Sequence, residues 1–271
     1  LDFSSGIPAE HRTLVAVPTL LSSERGVQTL VEQLEVRYLA NPDDNLLFAL
    51  VTDFRDAGAE VLPGDARLLA IAGQGIERLN ERYCQGRRPA FFLLHRPRKW
   101  NPCEGVWMGE ERKRGKLVAL NRLLLTGDAG AFSVTVGNLA DLASVRYVIT
   151  LDTDTLLPRD AARELVGLMA HPLNRPQMDP QSRLVTEGYA ILQPRVGVTI
   201  PEARRSIFSR LFAGDAGIDP YTNQTSDTYQ DLFGEGSFIT RAAAQMSFTG
   251  AQKLDLELTA PRLANGCASV P

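Results

Sequence analysis

Two aspartates one residue apart, Asp152 and Asp154, close the apolar run Val145 to Leu151 in SVRYVITLDTDTLLPRD (144–160). Strand side chains alternate faces, so the two carboxylates leave the run on the same side. Such a pair can hold a divalent cation. Mg2+ typically takes one or two carboxylates and completes its shell with water and phosphate oxygens. The chemistry to expect is a metal-bridged diphosphate, and the plain alternative is a solvated turn with two capping acids. Asp53 closes LLFALVTDF (46–54) in the same way. Acids at the ends of parallel strands converge on the crevice where open α/β sheets bind ligands. Asp53 is therefore placed to accept a hydrogen bond from a base or ribose, with an ordinary turn acid as the alternative.

Two further segments carry chemistry. From Arg96 to Lys116 there are seven cations (Arg96, Arg98, Lys99, Arg112, Lys113, Arg114, Lys116) against Glu104, Glu110 and Glu111. A loop of that charge can offset a diphosphate and stabilise it as a leaving group. Both tryptophans of the chain, Trp100 and Trp107, lie in it beside glycines 105, 109 and 115, which suggests a lid or ligand wall. Residues 211–240 hold five acids and five aromatic residues, and between Leu211 and Thr240 no lysine or arginine. Flat rings stack on pyranose faces and carboxylates accept hydroxyl protons, so this segment suits a sugar. Glu235 sits there in GEGSF. Histidines 11, 95 and 171 are scattered without metal-ligand spacing and read as structural.

Strand-like apolar runs at 13–21, 46–54, 90–97 and 145–151 alternate with helical spacing at 24–39, 68–83, 116–127 and 159–170. Pro18 is expected to break the first strand, and Gly127 to stop the third helix. This alternation predicts an α/β fold, a mostly parallel sheet flanked by helices. Past Leu184, VTEGYAILQPRVGVTIP has the β-branched, alternating character of a smaller antiparallel portion.

The 271 residues, 44% hydrophobic, suffice for one large core or two small ones. A net charge of −3 argues against a general nucleic-acid binder. Cys84, Cys103 and Cys267 fit neither a disulfide framework nor a zinc site. No apolar run approaches the roughly 18 residues of a spanning helix. The first residue is Leu1, so the chain is expected to be cut from something longer.

Longer strings carry a resemblance. VPTLL (17–21), TDFRDA (52–57), HRPRKWNPCEGVWMGEERKRGKL (95–117), TLDTDTLLPRD (150–160), EGYAILQPRVGV (187–198), RLFAGDAGIDPYT (210–222) and DLFGEGSF (231–238) resemble the glycosyltransferase domain of cyclic β-1,2-glucan synthases. The likeness covers roughly residues 1–240. It implies a GT-A-like fold, with a nucleotide-sugar half over 1–160, an acceptor-side half over 161–240 and a divergent tail over 241–271. It also implies inverting transfer of glucose from UDP-glucose to a glucan acceptor. Thr19, Asp53, Lys116 and Asp152 would bind the donor, and Asp152 with Asp154 would hold Mg2+ or Mn2+. Gln193, Arg195 and Glu235 would lie on the acceptor side. The parent protein would sit at the cytoplasmic face of a bacterial inner membrane, reached through flanking segments, with this chain itself soluble.

The family's general base is an aspartate in a His-Asp motif beyond GEGSF. This sequence departs from that pattern at Ile239–Arg241, and only Asp255 and Glu257 follow Glu235. The base is therefore unassigned, and the chain alone is expected not to polymerise glucose. Two alternatives stand beside this reading. A haloacid-dehalogenase-like phosphatase would use Asp152 as a nucleophile in D-x-D-x-T, with Gly214 to Asp219 as its later acidic motif. Against it, three strands precede the motif and residues 155–214 hold no lysine. The other alternative is a non-catalytic nucleotide-sugar-binding remnant.

Overall fold

The computed structural model describes residues 1–179 and 185–192, and the backbone of 244–248. Among the described residues the chain begins with β1 (Thr13–Leu21), α1 (Glu24–Ala40), β2 (Leu46–Phe54), α2 (Asp65–Tyr83), β3 (Phe91–His95), β4 (Lys99–Asn101), β5 (Val106–Met108), α3 (Arg112–Thr126) and β6 (Val134–Val136). They are followed by β7 (Tyr147–Leu151), α4 (Ala161–Ala170), β8 (Gln177–Met178), β9 (Val185–Glu187), β10 (Ile191–Leu192) and β11 (Ala244–Phe248). The chain divides into two compact units. The first, Leu1–Leu192 with Met246–Pro271, contains the body described here.

The central sheet runs β10-β11-β7-β1-β2-β3-β6. β1 pairs in parallel with β2 and β7, and β2 with β3. β6 joins β3 antiparallel, as β10 joins β11. The fold is thus α/β, with a mostly parallel sheet flanked by helices. The smaller antiparallel pairs include β4–β5 and β8–β9.

Strands buried on both faces are apolar nearly throughout, and β2 is buried along its whole length, apolar from Leu46 to Val51. Alternation then assigns the faces. Leu14, Ala16, Leu47, Ala49, Val51, Phe92 and Leu94 form one cluster with Ala119, Leu120, Leu123 and Leu124 of α3. The other face takes α1 and α2: the Tyr38 ring lies 5.7 Å from Phe48 and 4.9 Å from Phe91. Ser23 caps α1 by accepting from the Gly26 amide, and Gly127, at φ +73°, ends α3 in the left-handed region that glycine favours.

Three expectations need correction. Pro18 does not break β1, which runs on to Leu21. It lies beyond the last β1–β7 pair, Ala16 with Thr150, where among the described residues nothing pairs with that side of β1 and a missing N–H is tolerated. The basic stretch is not a loop: its middle is the β4–β5 hairpin, and α3 starts at Arg112 rather than Lys116. β6, three residues at the sheet's edge, had no apolar run to announce it. Among the described residues no helix is long and apolar enough to cross a membrane.

His95 ends β3 inside the body, 1% exposed, with Nδ1 2.8 Å from the Thr52 hydroxyl and its ring edge-on to Phe54. Burial lowers its pKa from 6.5 to about 4, against the opposing pull of Asp53 and Asp65. The unfolded chain therefore takes up this proton first. Stability from neutral His95 is complete above pH 6.5 and is lost as the pH falls towards about 4. The span corresponds to about 3 kcal/mol. His95→Gln, which cannot titrate there, is expected to flatten the fall of the urea midpoint over this window. Parallel slopes for wild type and variant would refute the assignment.

Candidate functional site

The carboxyl ends of β1, β2, β3 and β7 carry the residues singled out from the sequence. Parallel pairing sets Thr19 beside Thr52 and Leu20 beside Asp53. Asp53 is 1% exposed. Arg96, the first residue after β3, forks onto it: Nε donates to Oδ1 and Nη2 to Oδ2, both at 2.9 Å. Lys116 reaches back from α3, its Nζ 2.7 Å from the Thr19 carbonyl and 3.4 Å from Asp53 Oδ2. Burial, opposed by Asp53, lowers the Lys116 pKa. Three of the roughly four acceptor positions of the Asp53 carboxylate are thereby used. Asp53 is not an ordinary turn acid; it is the anion of a buried cluster with two cations.

Arg96 also donates to the carbonyls of Glu110 and Arg112, at 3.0 and 3.2 Å. These residues flank a sharp entry to α3, where Glu111 and Arg112 have φ of +51° and +50°. Two non-glycine residues in the left-handed region cost of order 1–3 kcal/mol each unless their surroundings hold them. The Arg96 bonds provide that hold. Gly109 lets this turn close over Asp53: a Cβ there would stand 2.2 Å from Asp53 Oδ2.

Above the cluster opens a cleft of about 430 Å3, whose walls include Thr19, Asp53, Arg55, Arg112, Lys113 and Lys116. Among the described residues Asp56 is its only other acid, so that lining carries an excess of positive charge. A hollow of about 360 Å3 at the amino ends of the strands lacks this bias, since Arg12, Arg87 and Arg88 face Asp43, Asp44 and Asp141. The cleft suits an anion, and its place at the carboxyl ends of parallel strands is the usual one.

Of the seven basic residues, Arg96 and Arg98 are committed to structure. Arg98 is buried against Asp65 and lies 4.8 Å from the Phe54 ring. Burial raises the Asp65 pKa, but the Arg98 hydrogen bond and charge outweigh it, and the net shift is downward. Lys99, Arg112 and Arg114 pair at the surface with Glu110, with Asp56 and Glu104, and with Glu111. Such pairs are worth little and release easily. Trp100 and Trp107 face each other across the β4–β5 hairpin, centroids 5.9 Å apart, with Trp100 half-exposed. They stand on an ordered ribbon rather than a flexible loop.

Asp152 and Asp154 follow β7. The Asp152 side chain is 31% exposed and Lys113 Nζ rests on its Oδ1. Asp154 is exposed. Lys113 thus joins the cationic cleft to the acidic loop. Beneath the loop lies Arg37 of α1, 2% exposed, donating to the carbonyls of Asp152, Thr153 and Thr155. Among the described residues no group of three metal-ligating side chains exists. Two carboxylates cannot cage a cation alone; one held by Asp152 and Asp154 would complete its shell with water and phosphate. The ammonium already seated on Asp152 shows that the loop accepts positive charge there.

Reading the sequence missed Arg37, Arg96 and Lys113 as individual contributors. Arg37 carried a signal: three residues past Leu34, it falls on the buried face of α1. Gln193, Arg195 and Glu235 lie outside the described residues, as does the acidic aromatic segment.

Fold and cleft together define an α/β protein with a cation-lined crevice beside a loop that carries two carboxylates. Over 258 residues the chain is 45% identical to the cyclic beta-(1,2)-glucan synthase NdvB of Rhizobium meliloti (strain 1021), and it is homologous to a segment of an NdvB-type glucan synthase. The alignment covers 94% of this chain and 9% of that protein's length. No family model matches.

Gly109→Ala is expected to force the Asp53–Arg96 fork apart and lower stability by about 1–3 kcal/mol, the usual cost of overpacking. Urea unfolding measures this. An unchanged midpoint would show that the turn over Asp53 has slack.

Proposed function

We propose that this chain binds UDP-glucose with Mg2+ or Mn2+ and transfers the glucosyl group, with inversion, to a β-1,2-linked glucan, as the GT-A-like part of a larger synthase. The observation that carries the reading is the Lys113–Asp152 contact, which joins a cationic cleft to a carboxylate pair. A diphosphate needs both: cations along its length, and acids that share a divalent ion with it. The homology to a glucan synthase supplies the reaction class, and the NdvB name supplies the β-(1,2) linkage.

In this reading Thr19 and Asp53 lie towards the nucleoside, while Lys116, Lys113 and Arg112 face the diphosphate. Asp152 and Asp154 hold the cation, which would neutralise the leaving diphosphate. Lys113 exchanges a carboxylate for a phosphate oxygen as the donor arrives. Surface ion pairs of this kind are weak enough to make that exchange easy. Gln193, Arg195 and Glu235 belong to the acceptor side in the half spanning 161–240, with 241–271 as a tail. The base that would take the acceptor's proton is unassigned. The membrane enters through other segments of the parent protein.

UDP with Mn2+ at roughly a hundredfold its dissociation constant is expected to stabilise the chain by about 2.7 kcal/mol. Asp152→Asn combined with Asp154→Asn should abolish the Mn2+-dependent part of that gain. A wild-type chain whose thermal midpoint ignores UDP and Mn2+ would sink the reading. Lys113→Met should weaken UDP·Mn2+ about tenfold, as expected for one lost charge-assisted hydrogen bond. Calorimetric titration reads the change, and undiminished affinity would remove Lys113 from the diphosphate site.

A further inference from the structure

The inner face of α1 presents Val27, Leu30 and Leu34 to the core, and the next turn presents Arg37. Burying a guanidinium is costly, and burial is the main cause that lowers its pKa, opposed by the nearby charge of Asp154. Among the described residues no carboxylate forms an ion pair with Arg37, and its Nη1 is buried without a hydrogen-bond partner. A cation kept there has its use in what it grips. Its Nη2 lies 2.8 Å from the carbonyl oxygens of both Thr153 and Thr155 and 3.3 Å from that of Asp152, and Nε lies 3.2 Å from the Thr155 oxygen. Asn41, one turn further on, fixes the loop's exit by donating to the Leu157 carbonyl and accepting from the Ala162 amide.

Two consequences follow for the acids. Three carbonyls of the loop are turned inward to α1, so its outer side offers carboxylates rather than carbonyls. A positive charge also lies beneath two like charges that would otherwise repel each other. We propose that Arg37 is the positioning residue of the acidic loop, holding Asp152 and Asp154 in the arrangement that receives a divalent cation. The proposal rests on the cation reading of those acids given above. It adds that helix α1, which touches neither nucleotide nor sugar in that reading, sets the cation affinity.

The test uses the whole 271-residue chain. Mn2+ binding in the presence of UDP is followed by electron paramagnetic resonance, and UDP binding without cation by calorimetry. Arg37→Met is expected to weaken Mn2+ by about 10–100-fold, the usual loss when a group supporting metal ligands is removed. UDP alone should bind within about twofold of wild type, because the cluster of Asp53, Arg96 and Lys116 is untouched. Arg37→Lys keeps the charge but cannot span three carbonyls, and should recover only part of the loss. If Arg37→Met does not fold, Arg37→Lys carries the test. Wild-type Mn2+ affinity in the variant that folds overturns the proposal. An equal loss of cation-free UDP binding also overturns it, since that marks general loosening. Asp152→Asn separates the two levels. If it too leaves Mn2+ binding unchanged, the cation reading has failed and this proposal with it. If it alone weakens binding, only the role of Arg37 has failed.

Discussion

The buried fork between Arg96 and Asp53, with Lys116 closing on the same carboxylate, is the constraint on which the site depends. Its members come from the end of β2, the residue after β3 and the second turn of α3. Three elements are thus fixed to one another at a single point. Removing one partner of such a pair would strand the others in a dry interior, at a cost of about 3–5 kcal/mol. The same cluster carries one more cation than anion, and it lies at the bottom of the cleft. Its structural duty and the net positive charge at the cleft floor therefore come from the same three residues.

The acidic loop is held by a different device. Arg37 contributes no ion pair among the described residues; it works through backbone carbonyls. The loop's shape is thereby fixed by main-chain bonds, and its carboxylates are not spent on Arg37. The two devices stand on opposite faces of the sheet, α3 on one and α1 on the other. Lys113 links them across the top with a half-exposed contact. The arrangement combines two rigid, buried anchors with one weak link between them.

Much of this order was legible in the residues. Continuous apolar runs marked β1, β2, β3 and β7, because strands buried on both faces leave no room for alternation. Helical spacing found α1, α2 and α4, and Gly127 marked the end of α3. Short elements escaped: β6 and the β4–β5 hairpin have three residues per strand and no periodicity to show. The start of α3 escaped because its first turn is written in charged residues, which resemble a loop. Asp53, Lys116 and Asp152 were visible as chemistry, but the partner of each was not. Arg96 lies 43 positions from Asp53 and Arg37 lies 115 from Asp152, and only the closed sheet brings them together. Pairings over such distances belong to topology rather than to local pattern.

The far end of β1 has a meaning of its own. Beyond Ala16 no further β1–β7 pair forms among the described residues, and Pro18, Thr19 and Leu20 line the cleft along that stretch. An unprotected edge invites another strand to dock, whether from this chain or from a neighbour. Pro18 occupies that stretch, and a residue without an amide hydrogen makes a poor template for further pairing. The missing amide hydrogen thus keeps that side of β1 from extending the ladder where Pro18, Thr19 and Leu20 line the cleft.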